Sequence, residues 1–263
     1  MLAPEEMFDR PIGGENKENE IPHWCGNILW ILVTLVQKII TRYRVHGIEN
    51  VRNLQGVSGG VVAATHHSFL DVSFIWCAIR PTQWGRMMAR DTLFKKNRLI
   101  AQLMARCAAF PVTRDSADRT AIKRAAGMLR NKEIVCIFPE GTRRGKTDTP
   151  PTLHAGAALI ARMGKAPLIP ACARNSDKVK EKGRLFFRWP TVHVFFGKPV
   201  FVKWFDFLPK EERLEACVWY VMRESFALQE GCAPEDVDMA ALFPDSKDYA
   251  PVFAGRMLGE GQV

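Results

Sequence analysis

Short apolar runs alternate with helix-patterned stretches from residue 43 to residue 229, and this alternation constrains the fold more than any other feature of the chain. Strands are expected at 43–48, 61–65, 84–89, 108–112, 134–138, 167–173 and 191–196. Helices are expected at 71–80, 97–107, 116–129, 153–163 and 209–229, the third with Ser116 as its N-cap. That order predicts an α/β fold with a mostly parallel central sheet flanked by helices. In such a sheet, functional residues gather in the loops beyond the strand ends. No Pro/Gly/Ser-rich linker divides the middle, so 45–229 is read as one catalytic-sized domain.

The flanks differ in composition. Residues 1–20 hold six acids and two bases, and residues 230–263 hold seven acids and two bases. The first segment reads as a disordered acidic arm and the last as an acidic C-terminal tail. The net charge of +9 therefore resides in a strongly basic body. A body of that kind seeks an anionic partner, and charge alone does not say which. No basic strand face interleaved with aromatics is present, so nucleic acid is not expected. The seven cysteines are odd in number and lack C-x-x-C spacing, which argues for reduced core residues and against a metal site.

Residues 21–44 carry a membrane-associating helix. Within the apolar stretch 24–40, the uninterrupted run, densest at 28–36, is well short of the ~20 residues of a membrane span. Asn27, Thr34, Lys38 and Thr41 fall on one helical stripe opposite a wide apolar face. Trp24 and Trp30 supply interfacial aromatics, and Lys38, Arg42 and Arg44 close the end. The pattern predicts an amphipathic helix lying in the membrane interface.

Two loops carry candidate chemistry. Thr65-His66-His67-Ser68-Phe69-Leu70-Asp71 joins a buried strand to a helix. On a continuous helix, residues five apart lie ~140° apart. His66 therefore meets Asp71 only if the segment turns and Asp71 opens the helix. A carboxylate on one ring nitrogen fixes the tautomer and stabilises the imidazolium that forms when histidine takes a proton. Histidine, with an ordinary pKa of ~6.5, is suited to that task at neutral pH. His67, four residues from Asp71, is the second candidate. The other loop, Phe138-Pro139-Glu140-Gly141-Thr142-Arg143-Arg144-Gly145, follows a fully apolar strand. Gly141 permits a tight turn, Thr142 offers donors, Arg143 suits a phosphate, and Glu140 orients that arginine or binds a hydroxyl. Arg114, just after another short strand, is a second phosphate clamp. Gly56-Val57-Ser58-Gly59-Gly60 spells a serine-hydrolase elbow, but it precedes a strand, where an elbow must follow one.

Taken together, the blocks resemble the glycerolipid acyltransferase family. THHSFLD resembles its N-H-x-x-x-x-D block, FPVTRD its second block and FPEGTR its third. APLIPACAR resembles its fourth block, and Gly197-Lys198-Pro199 resembles the end of its last strand. The sequence departs at Thr65 for Asn, Arg144 for Ser and His154 for Lys. The resemblance implies acyl transfer from an acyl-carrier-protein or coenzyme A thioester to a lysophospholipid hydroxyl. The commonest member makes phosphatidic acid from 1-acyl-glycerol 3-phosphate in phospholipid biosynthesis. It implies His66 as base and Asp71 as its orienter. Arg114, Glu140, Gly141, Thr142 and Arg143 hold the acceptor, and backbone donors near Gly141 face the oxyanion. It implies no metal and no cofactor beyond the thioester co-substrate, and a peripheral or monotopic site of action on the cytoplasmic face of a membrane.

Overall fold

The computed structural model describes residues 3–13, 18–113, 118–146, 150–179, 189–255 and 258. Seven strands form one sheet: β1 Arg42–His46, β2 Gly60–Ala64, β3 Gly85–Arg90, β4 Phe110–Val112, β5 Ile134–Ile137, β6 Leu168–Arg174 and β7 Thr191–Phe196. Their order is β1-β7-β6-β2-β5-β3-β4. Every neighbouring pair is parallel except β6 with β7. The mostly parallel sheet expected from the alternation is present, and all seven strands lie where the sequence put them to within about two residues.

The helices are α1 Pro4–Met7, α2 Trp24–Ile40, α3 Glu49–Arg52, α4 Leu70–Ile79, α5 Asp91–Lys96 and α6 Arg98–Arg106, followed by α7 Arg119–Arg130, α8 Gly156–Gly164, α9 Arg213–Glu230, α10 Met239–Leu242 and α11 Ala250–Phe253. Crossovers from β2 to β3 and from β5 to β6 run in opposite directions along the sheet. Right-handed connections therefore place α4 and α8 on opposite faces. α2 and α6 join the α4 layer, while α7, α8 and α9 pack together in the other. Covered on both sides, β2 (GVVAA) and β5 (IVCI) are buried at every residue. Strand β7, between edge strand β1 and β6, instead alternates between buried and half-buried positions.

One local reading is corrected, and the exclusion of Ser58 as a nucleophile is supported by its position. The N-cap of α7 is Asp118, whose side chain accepts from the Ala121 amide at 2.9 Å. Ser116 lies outside the described residues. Ser58 sits before β2 with its hydroxyl on the Gly59 carbonyl, and Gly59 is required for close packing. A Cβ there would stand 2.4 Å from the Leu129 carbonyl oxygen.

The arm and the tail are not loose appendages where they are described. Met7, Phe8, Ile12 and Ile21 are core residues. The Arg86 guanidinium donates to the carbonyls of Phe8 and Arg10, at 3.3 and 2.7 Å, and the Ile12 amide donates to Glu133 at 3.3 Å. In the acidic tail, Val237, Met239, Phe243, Tyr249 and Phe253 are buried. Average composition concealed both segments, because a few apolar residues among many acids suffice to anchor a short stretch.

Helix α2 spans the expected stretch, with an inverted amphipathicity. Gln37 and Asn27 face the protein, while Lys38 is exposed: the Gln37 amide donates to Ser73 at 3.1 Å and Asn27 accepts from Arg80. Ile28, Ile31, Leu32, Leu35, Val36 and Ile39 are each more than half exposed. No helix among the described residues is long and apolar enough to cross a membrane.

Candidate active site

The carboxyl ends of the three central strands β2, β5 and β6 converge on one site. Strand β2 delivers Thr65 and His66, β5 delivers the loop 138–146, and β6 delivers Ser176. After β2 the chain turns so that Asp71 falls in the first turn of α4. His66 Nδ1 lies 3.3 Å from Asp71 Oδ2. The same oxygen accepts from the amides of His67 and Ser68, at 2.8 and 2.7 Å. The other carboxylate oxygen accepts from the Ser176 hydroxyl. A carboxylate with donors on both oxygens is held in one orientation.

This geometry separates the two histidines. His67 meets Asp71 only through its backbone amide, and its ring stands edge-on to Phe226 at 5.8 Å. Burial lowers the His67 pKa below its ordinary value, with Arg144 and His66 acting in the same direction and Asp71 and Asp177 opposing. His66 packs against Phe138, ring centroids 4.3 Å apart, and retains partial exposure.

The loop after β5 supports the turn from beneath. Glu140 is 1% exposed. Its Oε1 accepts from the His66 amide at 2.8 Å, and its Oε2 pairs with Arg144 Nε at 2.6 Å. Burial pushes the Glu140 carboxyl up to about 7, against the downward pull of Arg144 and the His66 amide. Both oxygens are therefore engaged by protein groups, and Glu140 is placed to hold His66 rather than to meet a substrate hydroxyl. Gly141 has φ +64, and a Cβ there would meet the His154 ring at 3.1 Å. The amides of Gly141 and Thr142 close the turn onto the carbonyls of Phe138 and Glu140, so neither is free to serve an oxyanion.

Arg143 differs from its neighbour. It is half-buried, with its guanidinium carbon 5.9 Å from the ring of Phe69, which is itself 70% exposed. It has no carboxylate partner among the described residues, which leaves its fork available to an anion. Arg114 lies outside the described residues. Ser176 was missed from the sequence: it stands two residues beyond β6, and no spacing or residue pattern marks it. Arg144, read only as a departure in the third block, proves to be the partner of Glu140.

The acyltransferase family model matches residues 42–174. The 1-acyl-sn-glycerol-3-phosphate acyltransferase of Bacillus subtilis is 35% identical over 193 residues, covering 73% of this chain and 89% of that one. The enzyme of the same name from Streptococcus pneumoniae is 28% identical over 141 residues, covering 53% of this chain and 50% of that one. The crystal structure of the 1-acyl-sn-glycerophosphate (LPA) acyltransferase PlsC from Thermotoga maritima shares the fold, with a TM-score of 0.56, 20% identity and coverage of 77% and 79%. By its matched domain and by its similarity to the Bacillus subtilis enzyme over most of both lengths, this chain belongs to the acyltransferase family.

Proposed function

We propose that the protein transfers a fatty acyl group from an acyl-carrier-protein or coenzyme A thioester to the free hydroxyl of 1-acyl-glycerol 3-phosphate, giving phosphatidic acid. The observation that carries this reading is the His66–Asp71 contact at the sheet's carboxyl edge, beside an arginine without an acidic partner among the described residues. Asp71 takes Nδ1, so Nε2 is the nitrogen that receives the acceptor's hydroxyl proton. The alkoxide attacks the thioester carbonyl directly, and no enzyme nucleophile is needed. The tetrahedral adduct then expels thiolate, and the imidazolium returns its proton to that sulfur. Arg143 holds the acceptor phosphate.

Thiol release tests the reading. Palmitoyl-coenzyme A and palmitoyl-carrier protein are each supplied with and without lysophosphatidic acid, glycerol 3-phosphate and other lyso-lipids. Release that depends on lysophosphatidic acid supports it, and release without any acceptor makes the protein a thioesterase. Arg143→Ala is expected to raise the acceptor KM roughly 10- to 100-fold, from the loss of a charged hydrogen bond. Unchanged acceptor kinetics remove the clamp.

The inverted helix α2 supports the expectation of a membrane surface. An outward apolar face of this size is unstable in water and suits the acyl boundary of a bilayer. Helix α6, packed against α2, adds exposed Leu99, Ile100 and Leu103 beside Arg98. Ile31→Glu with Leu35→Glu is expected to abolish flotation with anionic vesicles while leaving the helix docked on α4. Flotation equal to wild type excludes α2 as the membrane face.

A further inference from the structure

The C-terminal segment reaches the catalytic turn through one side chain. The Arg144 amide donates to the His66 carbonyl at 2.9 Å. Its Nε pairs with Glu140, whose other oxygen holds the His66 amide. The remaining guanidinium nitrogens both donate to the Leu242 carbonyl at 3.3 Å, at the end of α10. The guanidinium also lies 4.7 Å from the Phe226 ring centroid and 4.6 Å from that of Phe243. Phe243 is 1% exposed and packs edge-on against Phe226, so the tail contributes one wall of the arginine's slot. Arg144 thus spans from both peptide groups of His66 to a segment nearly a hundred residues further along the chain.

We propose that Arg144 is a positioning residue that locks the backbone of His66 to the docked segment around α10, so that packing of the C-terminal segment sets the geometry of the base. The proposal rests on the reading of His66 as the general base. The physical case is one of rigidity. A β-turn that carries a base on a partly exposed ring needs its peptide planes fixed, because a displacement of ~1 Å at the reacting atoms costs up to about 10²-fold in rate. Asp71 holds the His67 and Ser68 amides of this turn and Glu140 holds the His66 amide; the Arg144 backbone amide holds the His66 carbonyl, and the Arg144 side chain keeps Glu140 in place. A planar fork that pairs, donates and stacks at once is a task that lysine does not reproduce.

Arg144→Ala is expected to lower kcat by roughly 10- to 100-fold, with acceptor KM within about threefold of wild type, since the lost interaction concerns the base and not the phosphate. Arg144→Lys restores part of kcat. The titratable groups facing Glu140 are Arg144 on its own loop, Asp71 from α4, and His66 and His67 from the turn after β2. Arg144 pulls the Glu140 carboxyl down. Its removal therefore moves the acid limb of the kcat profile to higher pH, an effect that a lower folded fraction does not produce. Phe243→Leu, which keeps an apolar side chain but removes the stacking face, lowers kcat in the same sense and by less. Phe253→Leu, in the same segment but away from Arg144, leaves kcat unchanged.

Hydrogen exchange gives a readout that does not need turnover. Arg144→Ala and Phe243→Leu accelerate exchange of the His66 amide, and Phe253→Leu does not. Exchange at wild-type rate in Arg144→Ala overturns the proposal whatever the enzyme's activity. Wild-type kcat in Arg144→Ala, measured on protein whose His66→Ala variant is inactive, overturns the proposal while the catalytic reading stands. Full turnover by His66→Ala overturns the catalytic reading instead.

Discussion

Replacing His66 by alanine is expected to lower acyl transfer by about 10²–10⁴-fold while the protein stays folded, the range that a positioned general base supplies. The loss appears in kcat and in kcat/KM together, because the interaction exists in the transition state and not with the bound lipid. The ring packs on Phe138 at the rim of the core with its side chain 13% exposed, so its loss lowers the melting temperature modestly and leaves the protein folded. Asp71→Asn is the sharper companion. Asp71 accepts from two amides, from the His66 ring and from Ser176. An amide presents only one acceptor oxygen, so its NH2 must face groups that are themselves donors. That variant loses both stability and the tautomer of His66. Ser176→Ala removes a single donor from the same carboxylate and lowers kcat by less. Turnover within twofold of wild type in His66→Ala, by thiol release in the presence of lysophosphatidic acid, eliminates the general-base mechanism.

The sheet was legible because its central strands are buried on both faces and so read as unbroken apolar runs, such as Ile134–Ile137. The His66–Asp71 pair was legible as well, since a spacing of five forces a turn, and the turn occurs at the opening of α4. The matched family bears out the resemblance carried by the blocks between residues 60 and 175. Roles that depend on three-dimensional partners were not legible. Glu140 and Arg143 are three apart in one loop, yet one is fully buried and the other reaches a free rim. Nothing in their order assigns the buried ion pair to Arg144. Ser176 becomes visible only because β6 lies next to β2, a non-local pairing across a hundred residues. The apolar face of α2 was located by periodicity, and its exposure agrees with the interfacial reading, although periodicity alone does not say whether such a face turns inward or outward. A helical stripe says which residues share a side, and the docking of Gln37 and Asn27 on α4 decides which side is turned in.

The second large effect concerns the opposite edge of the sheet. Arg86 on β3 and Glu133 just before β5 form an ion pair at 2.8 Å, with their side chains 1% and 0% exposed. Around them the N-terminal arm supplies two carbonyls and one amide. Taking two charges out of water is costly, and the pair is tolerable only because each group has its partner and the arm satisfies what remains. Arg86→Met is therefore expected to destabilise the fold by up to about 3–5 kcal/mol above pH 7, where Glu133 must ionise, from an uncompensated buried carboxylate, measured by urea unfolding. The pH dependence has a definite sign. Burial pushes Glu133 up to about 7 even with Arg86 beside it, from an ordinary value of 4.5. A carboxyl raised on folding contributes stability that is fully present below its unfolded pKa and is lost as pH rises through its folded pKa. Arg86 pulls the Glu133 pKa down, so its removal widens that window upward. The variant's deficit relative to wild type should then shrink as the pH falls toward 5, where Glu133 is protonated and neutral, and grow above pH 7. Arg86→Met combined with Glu133→Leu removes the orphaned charge and recovers most of the loss, leaving the arm's unpaired carbonyls as the residual cost. A deficit independent of pH, or a double variant no more stable than Arg86→Met, assigns the destabilisation to lost packing of the arm rather than to the buried charge.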